Sequence, residues 1–434
     1  MRRALLVAGL VVLAAPGSAF AHAAIQGTSP KFREELRRAP TEVEVAFDQK
    51  VDALPDTLRV YDARGRIVSY GLHTHRGRHI VAVHLRRLLH KGAYTVRWRA
   101  LSGDGHVVSG VFTFGVGVPA PEPLQAYGAS GPTTSEHIVR WLYFVSLALL
   151  AGGLGFRLLI LPRTITPRLE RGFYWVTGVG VVAALEVGIA AFLLRSEDAL
   201  QLPFGDFLYG DLSPIANGTR FGSAFIVMTL GFALVAALLF LSWLTERRFL
   251  LWASFALSLA FASGLSLSGH SAVDRGASKW SELADWVHLS AASLWAGGVI
   301  MLVVVFFTER GLAGKAFVGF ARLAPVLIAL LLAAGIYLSV LRLPAVDDLW
   351  TTGYGRVLLV KLSLVSLALL WGAFHHFVVE PRIERPGVAA RASRSLLGET
   401  AVAVSILLAA AVLVDSKPPP TPVKQPAQAA PVRR

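Results

Sequence analysis

Three residues at the two ends of the first hundred or so positions could hold a metal together. Arg2 and Arg3 precede an apolar run from Ala4 to Ala15, Pro16-Gly17 break it, and Ala19-Phe20-Ala21 supplies the small residues that a signal peptidase reads. Cleavage after Ala21 makes His22 the first residue of the mature chain, so an α-amine and an imidazole share one residue and can chelate one ion. With a pKa of about 8, that amine gives up its proton readily to a divalent metal. Asp104-Gly105-His106 adds a carboxylate and a second imidazole two positions apart. An N,N,N,O donor set suits Cu(II), which heads the Irving–Williams order and favours tetragonal nitrogen and oxygen coordination. A signal peptide must end somewhere, and Asp-Gly-His is also an ordinary turn; the conjunction of the three residues favours metal.

A second group of ionisable residues sits inside long apolar runs, where each costs a few kcal/mol to place. His270 ends one run; Asp285 and His288 begin the next, three residues apart and so on one helix face. Trp295-x-Gly297-Gly298 follows, and its glycines allow close approach of a neighbouring helix. His137 stands at the start of the first run and reads as an interfacial anchor. Glu186 and Lys361 are candidates for a neutralising pair, with snorkelling of Lys361 to the surface as the alternative. His375, His376 and Glu399 lie towards the opposite end and read equally as an exit or as ordinary interfacial residues. His73, His75 and His79 form a local extra in which residues 73 and 75 share a strand face; the neighbouring Arg76 and Arg78 favour reading them as exposed histidines rather than as a weak metal site.

The elements that position these residues are legible from composition. At 54% hydrophobic and 16% charged, the 434-residue chain is too apolar for an ordinary soluble protein. Eight apolar stretches, at roughly 138–161, 173–194, 221–244, 249–268, 284–307, 317–341, 357–379 and 396–414, are long enough to cross a hydrocarbon core of about 30 Å as helices. The third and fourth are joined only by Thr245-Glu246-Arg247-Arg248, which predicts a tight hairpin. Arginines and lysines concentrate after the first, third, fifth and seventh stretches, which puts those loops in the cytoplasm and both chain ends outside. The cleaved signal requires the same orientation for the N-terminal domain. The net charge of +14 is thus distributed as membrane topology demands, and no basic arm or helix points to nucleic acid.

Residues 42–116 alternate instead with period two, as in Glu42-Val43-Glu44-Val45-Ala46-Phe47 and Tyr94-Thr95-Val96-Arg97-Trp98-Arg99, which predicts an antiparallel β-sandwich. The expected organisation is a signal peptide at 1–21, a sandwich at 22–116, a linker at 117–136, an eight-helix membrane bundle at 137–415 and a proline-rich tail at 416–434. Cysteine is absent and only Met228 and Met301 remain after signal removal, so histidine and carboxylate must carry any metal chemistry.

The run Tyr94-x-Val96-x-Trp98-x-x-x-Ser102-x-Asp104-Gly105-His106-x-x-x-Gly110-x-Phe112-x-Phe114-x-Val116, with Ser29-Pro30 near the mature start, closely resembles the signature of the CopC copper-binding domain. The resemblance implies a Greek-key sandwich outside the membrane and a Cu(II) site of His22, Asp104 and His106. The methionine-rich Cu(I) site of some members is not carried over, because this domain contains no methionine. The later half resembles the CopD family of multi-span copper-resistance proteins, through Gly269-His270, Asp285-x-x-His288, Trp295-x-Gly297-Gly298, Thr352-x-Tyr354-Gly355-Arg356-x-Leu358-Leu359-x-Lys361 and Glu399. Here His375-His376 depart from that family's pattern. Together the halves resemble a CopC–CopD fusion, which implies copper uptake or tolerance in the plasma membrane, with His270, Asp285 and His288 receiving the ion.

Three functions are compatible with these residues. Copper transport leads, and without a nucleotide-binding motif the membrane potential favours inward movement of a cation. A haem or electron-transfer protein is the alternative, since paired membrane histidines can ligate haem. A copper-dependent oxygenase is third, with no readable substrate groove, so the chain is expected not to be an enzyme.

Overall fold

The computed structural model describes residues 23, 25–54, 56–86, 89–102, 107–120, 134–200, 220–268, 278–385, 387–416 and 419. The signal segment, His22, Asp104, His106, His270, most of the linker and nearly all of the tail lie outside the described residues.

Alternation in the N-terminal sequence becomes two packed sheets. Strands β1 (Ile25–Ser29), β3 (Glu42–Phe47), β7 (Ile80–Leu85) and β6 (Ser69–His75) form one sheet, in the order β1-β3-β7-β6. The other runs β2 (Glu34–Leu36), β9 (Val107–Val116), β8 (Gly92–Ser102) and β4 (Val51–Asp52), with β5 (Leu58–Asp62) also pairing β8. Val43, Val45 and Phe47 point inward against Val96, Trp98, Phe112 and Phe114, while Glu42, Glu44 and Ala46 face out. The pairing is antiparallel except between β2 and β9, which run parallel. That exception corrects the all-antiparallel expectation. The turn before Glu34 lays a three-residue strand along the end of β9, where Arg33 N donates to Thr113 O and Gly117 N to Leu36 O. Gly110 lies opposite Trp98, and a Cβ there would crowd the indole.

The apolar runs form helices α1 (Thr134–Leu159, interrupted by a π turn at Ala148–Gly152), α2 (Pro167–Leu200), α3 (Arg220–Thr245), α4 (Arg248–Ser268), α5 (Lys279–Thr308), α6 (Arg310–Arg342), α7 (Gly353–Phe374) and α8 (Val388–Asp415). Among the described residues, seven are long and apolar enough to cross a membrane; α4 is a shorter apolar helix over Arg248–Ala262. Helices α3 and α4 pack as the expected hairpin, with only Glu246 and Arg247 between them. The first helix starts at Thr134, inside the stretch read as linker.

Helix α5 packs against α1, α6 and α8. Its contact with α1 is glycine on glycine. A Cβ on Gly297 would overlap the Ala148 carbonyl and Gly152 Cα, and one on Gly298 would overlap the Phe320 ring. The close approach that Trp295-x-Gly297-Gly298 predicts is therefore observed. Gly297→Leu is expected to destabilise the bundle by several kcal/mol, beyond the ~1–3 kcal/mol of ordinary overpacking, because backbone rather than side chain stands in the way. A lower melting temperature in detergent checks this; an unchanged one would mean that the helices can separate freely here.

Candidate metal centre

His22, Asp104 and His106 lie outside the described residues, but the elements that carry them do not. Ile25 pairs with Phe47 at the end of β3, and Val51, four residues on, pairs with Ser102 at the end of β8. Leu101 pairs with Val107, so the strands on either side of the Asp104–His106 connection leave the sandwich together. Phe47 and Trp98 lock that end, their rings 5.5 Å apart, and Ala23 is buried in the same core. The described flanks of all three residues thus emerge at one end of the sandwich, although some eighty residues separate them in sequence. Strands β8 and β9 also touch α2, which brings this domain against the helices.

Inside the bundle, His288 lies nine residues from the start of α5, about 13 Å along the axis. Its Nδ1 is 3.0 Å from the Leu331 carbonyl oxygen on α6. A carbonyl only accepts, so Nδ1 carries the proton and the Nε2 lone pair is free, as in metal-binding histidines oriented by a backbone carbonyl. Gly335 makes room for the ring: a Cβ there would come within 3.1 Å of His288 Cε1. Lys361 Nζ on α7 is 3.5 Å from Nε2. Asp285 sits one turn before His288 on α5, and His270 is outside the described residues, so the structure neither joins it to this pair nor separates it.

The position of Lys361 corrects the Glu186–Lys361 pair. Lys361 meets His288, whereas Glu186 is exposed on α2. The residues around Lys361 explain much of its motif. Thr352 caps α7 by accepting from Gly355 N at 3.0 Å, and a Cβ on Gly355 would overlap the Asp348 carbonyl and Leu349 of the preceding turn. That tight start sets the register that carries Lys361 to α5.

At the far end of α7 the two adjacent histidines part. His375 is buried, with Nδ1 2.8 Å from Glu399 on α8 and Nε2 2.8 Å from Ser395 Oγ. Trp371 Nε1 donates to the same hydroxyl at 2.8 Å. His376 turns outward to Glu380, 2.7 Å away. Lys361 on α7 and His375 in the π turn that continues it are fourteen residues apart, about 21 Å, so two polar clusters, the first half-buried and the second buried, stand towards opposite ends of one helical segment.

Asp415, which the sequence reading passed over, is fully buried at the end of α8. It takes His137 Nδ1 at 2.7 Å and Arg140 Nε at 2.7 Å. A carboxylate in the last turn of an apolar helix was the available signal, and it reassigns His137 from interfacial anchor to ion-pair partner.

The model described as CopC domain matches residues 25–117, Copper resistance protein D-like, N-terminal domain matches 134–280, and Copper resistance protein D matches 314–413. The chain is 30% identical over 427 residues to the Copper transport protein CutJ of Bacillus subtilis (strain 168), which covers 95% of this chain and 77% of that protein. It is 27% identical over 209 residues to Copper resistance protein D of Pseudomonas syringae pv. tomato, covering 45% of this chain and 66% of that one. Among solved structures, CopC from Methylosinus trichosporium OB3b is similar at 25% identity with a TM-score of 0.20, over 24% of this chain and 99% of that one. PcoC, a methionine-rich copper resistance protein from Escherichia coli, is similar at 22% identity with a TM-score of 0.20, over 22% of this chain and 99% of that one.

Proposed function

The chain belongs to the CopC–CopD family of copper transport and resistance proteins, and on that premise we propose that it captures Cu(II) outside the cell and passes it inward through the bundle. His22, Asp104 and His106 form the capture site at the end of a Greek-key sandwich, and Asp285 and His288, with His270, receive the ion. The bundle crosses the plasma membrane eight times, α4 included, with the sandwich and the tail outside.

The observation that carries this reading is the pair of polar clusters along α7 and the π turn after it, half-buried at His288 and Lys361 and buried at His375 and Glu399. One presents an imidazole whose Nδ1 is tied to Leu331 O and whose Nε2 faces Lys361 Nζ; the other joins His375 to Glu399. Neither is expected to stabilise a helix bundle better than apolar packing would, which favours a binding role for both. Lys361 occupies the approach to His288 Nε2 and must yield that lone pair when copper arrives, which keeps the resting site from holding the ion too tightly. Inward movement of a divalent cation across 100 mV gains roughly 4–5 kcal/mol, at about 2.3 per charge. No other energy source is needed.

Glu399→Gln tests the inner cluster. It preserves shape and leaves His375 without its carboxylate, and is expected to lower cellular copper accumulation at least tenfold at matched expression while leaving Cu(II) binding to the outer domain unchanged. Wild-type accumulation would remove His375 and Glu399 from the pathway. Cells that hold less copper with the wild-type chain than without it would reverse the direction to export.

A further inference from the structure

The outer face of the β1-β3-β7-β6 sheet carries imidazoles and carboxylates that the capture site does not use. His73 and His75 alternate on β6, Glu42 and Glu44 on β3, and β7 runs between them. In register, His73 stands across Ala82 from Glu44. Because the middle strand offers only a methyl group at that point, side chains from the two outer strands reach each other over it. His73 Nε2 is 2.7 Å from Glu42 Oε1, and His75 Nε2 is 3.5 Å from Glu44 Oε1. The His73 and His75 rings stack 5.9 Å apart, and His84 stacks on His73 at 4.7 Å. Among the described residues, Glu42, His73 and His75 are the one set of three such residues that places its ligand atoms within 4.8 Å of one another.

The hydrogen bonding asks for a cation. His73 Nδ1 lies 2.9 Å from the Gly71 carbonyl oxygen, so that nitrogen carries a proton. The bulge between Tyr70 and His73, where Gly71 takes a φ of +66°, produces this contact. A positive charge completes the contact between Nε2 and the carboxylate oxygen, either a second proton on the ring or a metal ion. Glu42 Oε1 is buried and makes no hydrogen bond, even though Nε2 is so near. Glu42 Oε1 sits beside His73 Nε2 at a separation that a proton or a metal ion can bridge. It is well placed for a metal, since two cis ligands each about 2.0 Å from an ion stand about 2.8 Å apart. Arg78, which the sequence reading set against a cation here, is engaged with Asp52 at 2.5 Å.

We propose that Glu42, His73 and His75 form a second metal site, on the outer face of the sandwich, for a divalent transition cation that accepts two imidazoles and a carboxylate: Cu(II) or Zn(II). Glu44 is within reach as a fourth ligand. The site is separate from the capture site. Strand β6 lies three strand spacings from β1, about 14 Å at ~4.8 Å each. Glu42 is on β3, which pairs β1, but stands five residues, about 17 Å at ~3.4 Å each, from Phe47, where Ile25 pairs. Asp104 and His106 belong to the connection in the other sheet. The ligands are about one-third exposed, so the ion exchanges directly with the outside.

The test uses the purified full chain in detergent, stripped of metal, loaded separately with copper(II) chloride and zinc chloride, and desalted before metal analysis. His73→Ala/His75→Ala is expected to hold one equivalent fewer than its parent, both in the wild type and in an Asp104→Ala/His106→Ala background. Glu42→Gln is expected to weaken that equivalent at least tenfold. The loss appearing with copper, or with zinc, identifies the cation. Unchanged stoichiometry for both metals would overturn the proposal while leaving the capture site standing. An equivalent lost with the two histidines but none lost with Asp104 and His106 would sustain this site and remove the other.

Discussion

One alanine placed between the signal cleavage site and His22 is expected to weaken Cu(II) binding at the outer domain by two orders of magnitude or more. The mature amine and the imidazole of His22 are proposed to close a chelate on the same ion. With the amine one residue away, the His22 nitrogen becomes a peptide nitrogen, whose proton Cu(II) must displace before it can coordinate, and the amine–imidazole ring of a single residue is lost. A hundredfold change corresponds to about 2.7 kcal/mol, at 1.4 per decade, a modest sum for the loss of a first-coordination nitrogen. The described flanks of His22, Asp104 and His106 leave one end of the sandwich together, so the remaining two ligands stay in place and report the loss of the third alone. Competition titration of the purified chain against a calibrated Cu(II) chelator measures it. Affinity equal to that of the wild type would show that the amine is not a ligand.

His288→Ala is expected to bring copper accumulation down to that of cells lacking the protein, with binding at the outer domain intact. The ring is held from two sides, by Leu331 O on α6 and by Lys361 on α7, and Gly335 leaves the space it fills. Alanine removes the Nε2 lone pair that Lys361 faces at rest, and no cysteine exists in the chain to replace it. The ammonium of Lys361 would remain beside the gap and repel a cation. Lys361→Met separates the two effects. It frees Nε2 without touching the imidazole, so copper is expected to accumulate to half-maximal rate at lower external concentration than in the wild type. Accumulation at the wild-type level in His288→Ala would leave that histidine as a packing residue.

The local pattern of residues carried a great deal. Period-two alternation from Glu42 onward specified a sandwich, because strands bury every second side chain. Apolar runs specified the helices, because a bilayer demands that length. The spacing Asp104-x-His106 and the residue behind the signal specified a candidate site, since ligand types and chain ends are properties of the sequence itself. What faces what across elements was decided by tertiary structure alone. His288 and Lys361 meet over seventy-three positions and His137 and Asp415 over 278, through helix rotations that no single helix encodes. His375 and His376 are neighbours in sequence, yet the turn at the end of α7 sends one to Glu399 and the other to Glu380. Glu42 meets His73 on a diagonal across β7, where register sets Ala82 opposite His73 and Glu44 and sets His84 opposite Glu42. Each of these contacts depends on the relative rotation or register of two segments, and that is set by the packing of the whole core, which no segment contains.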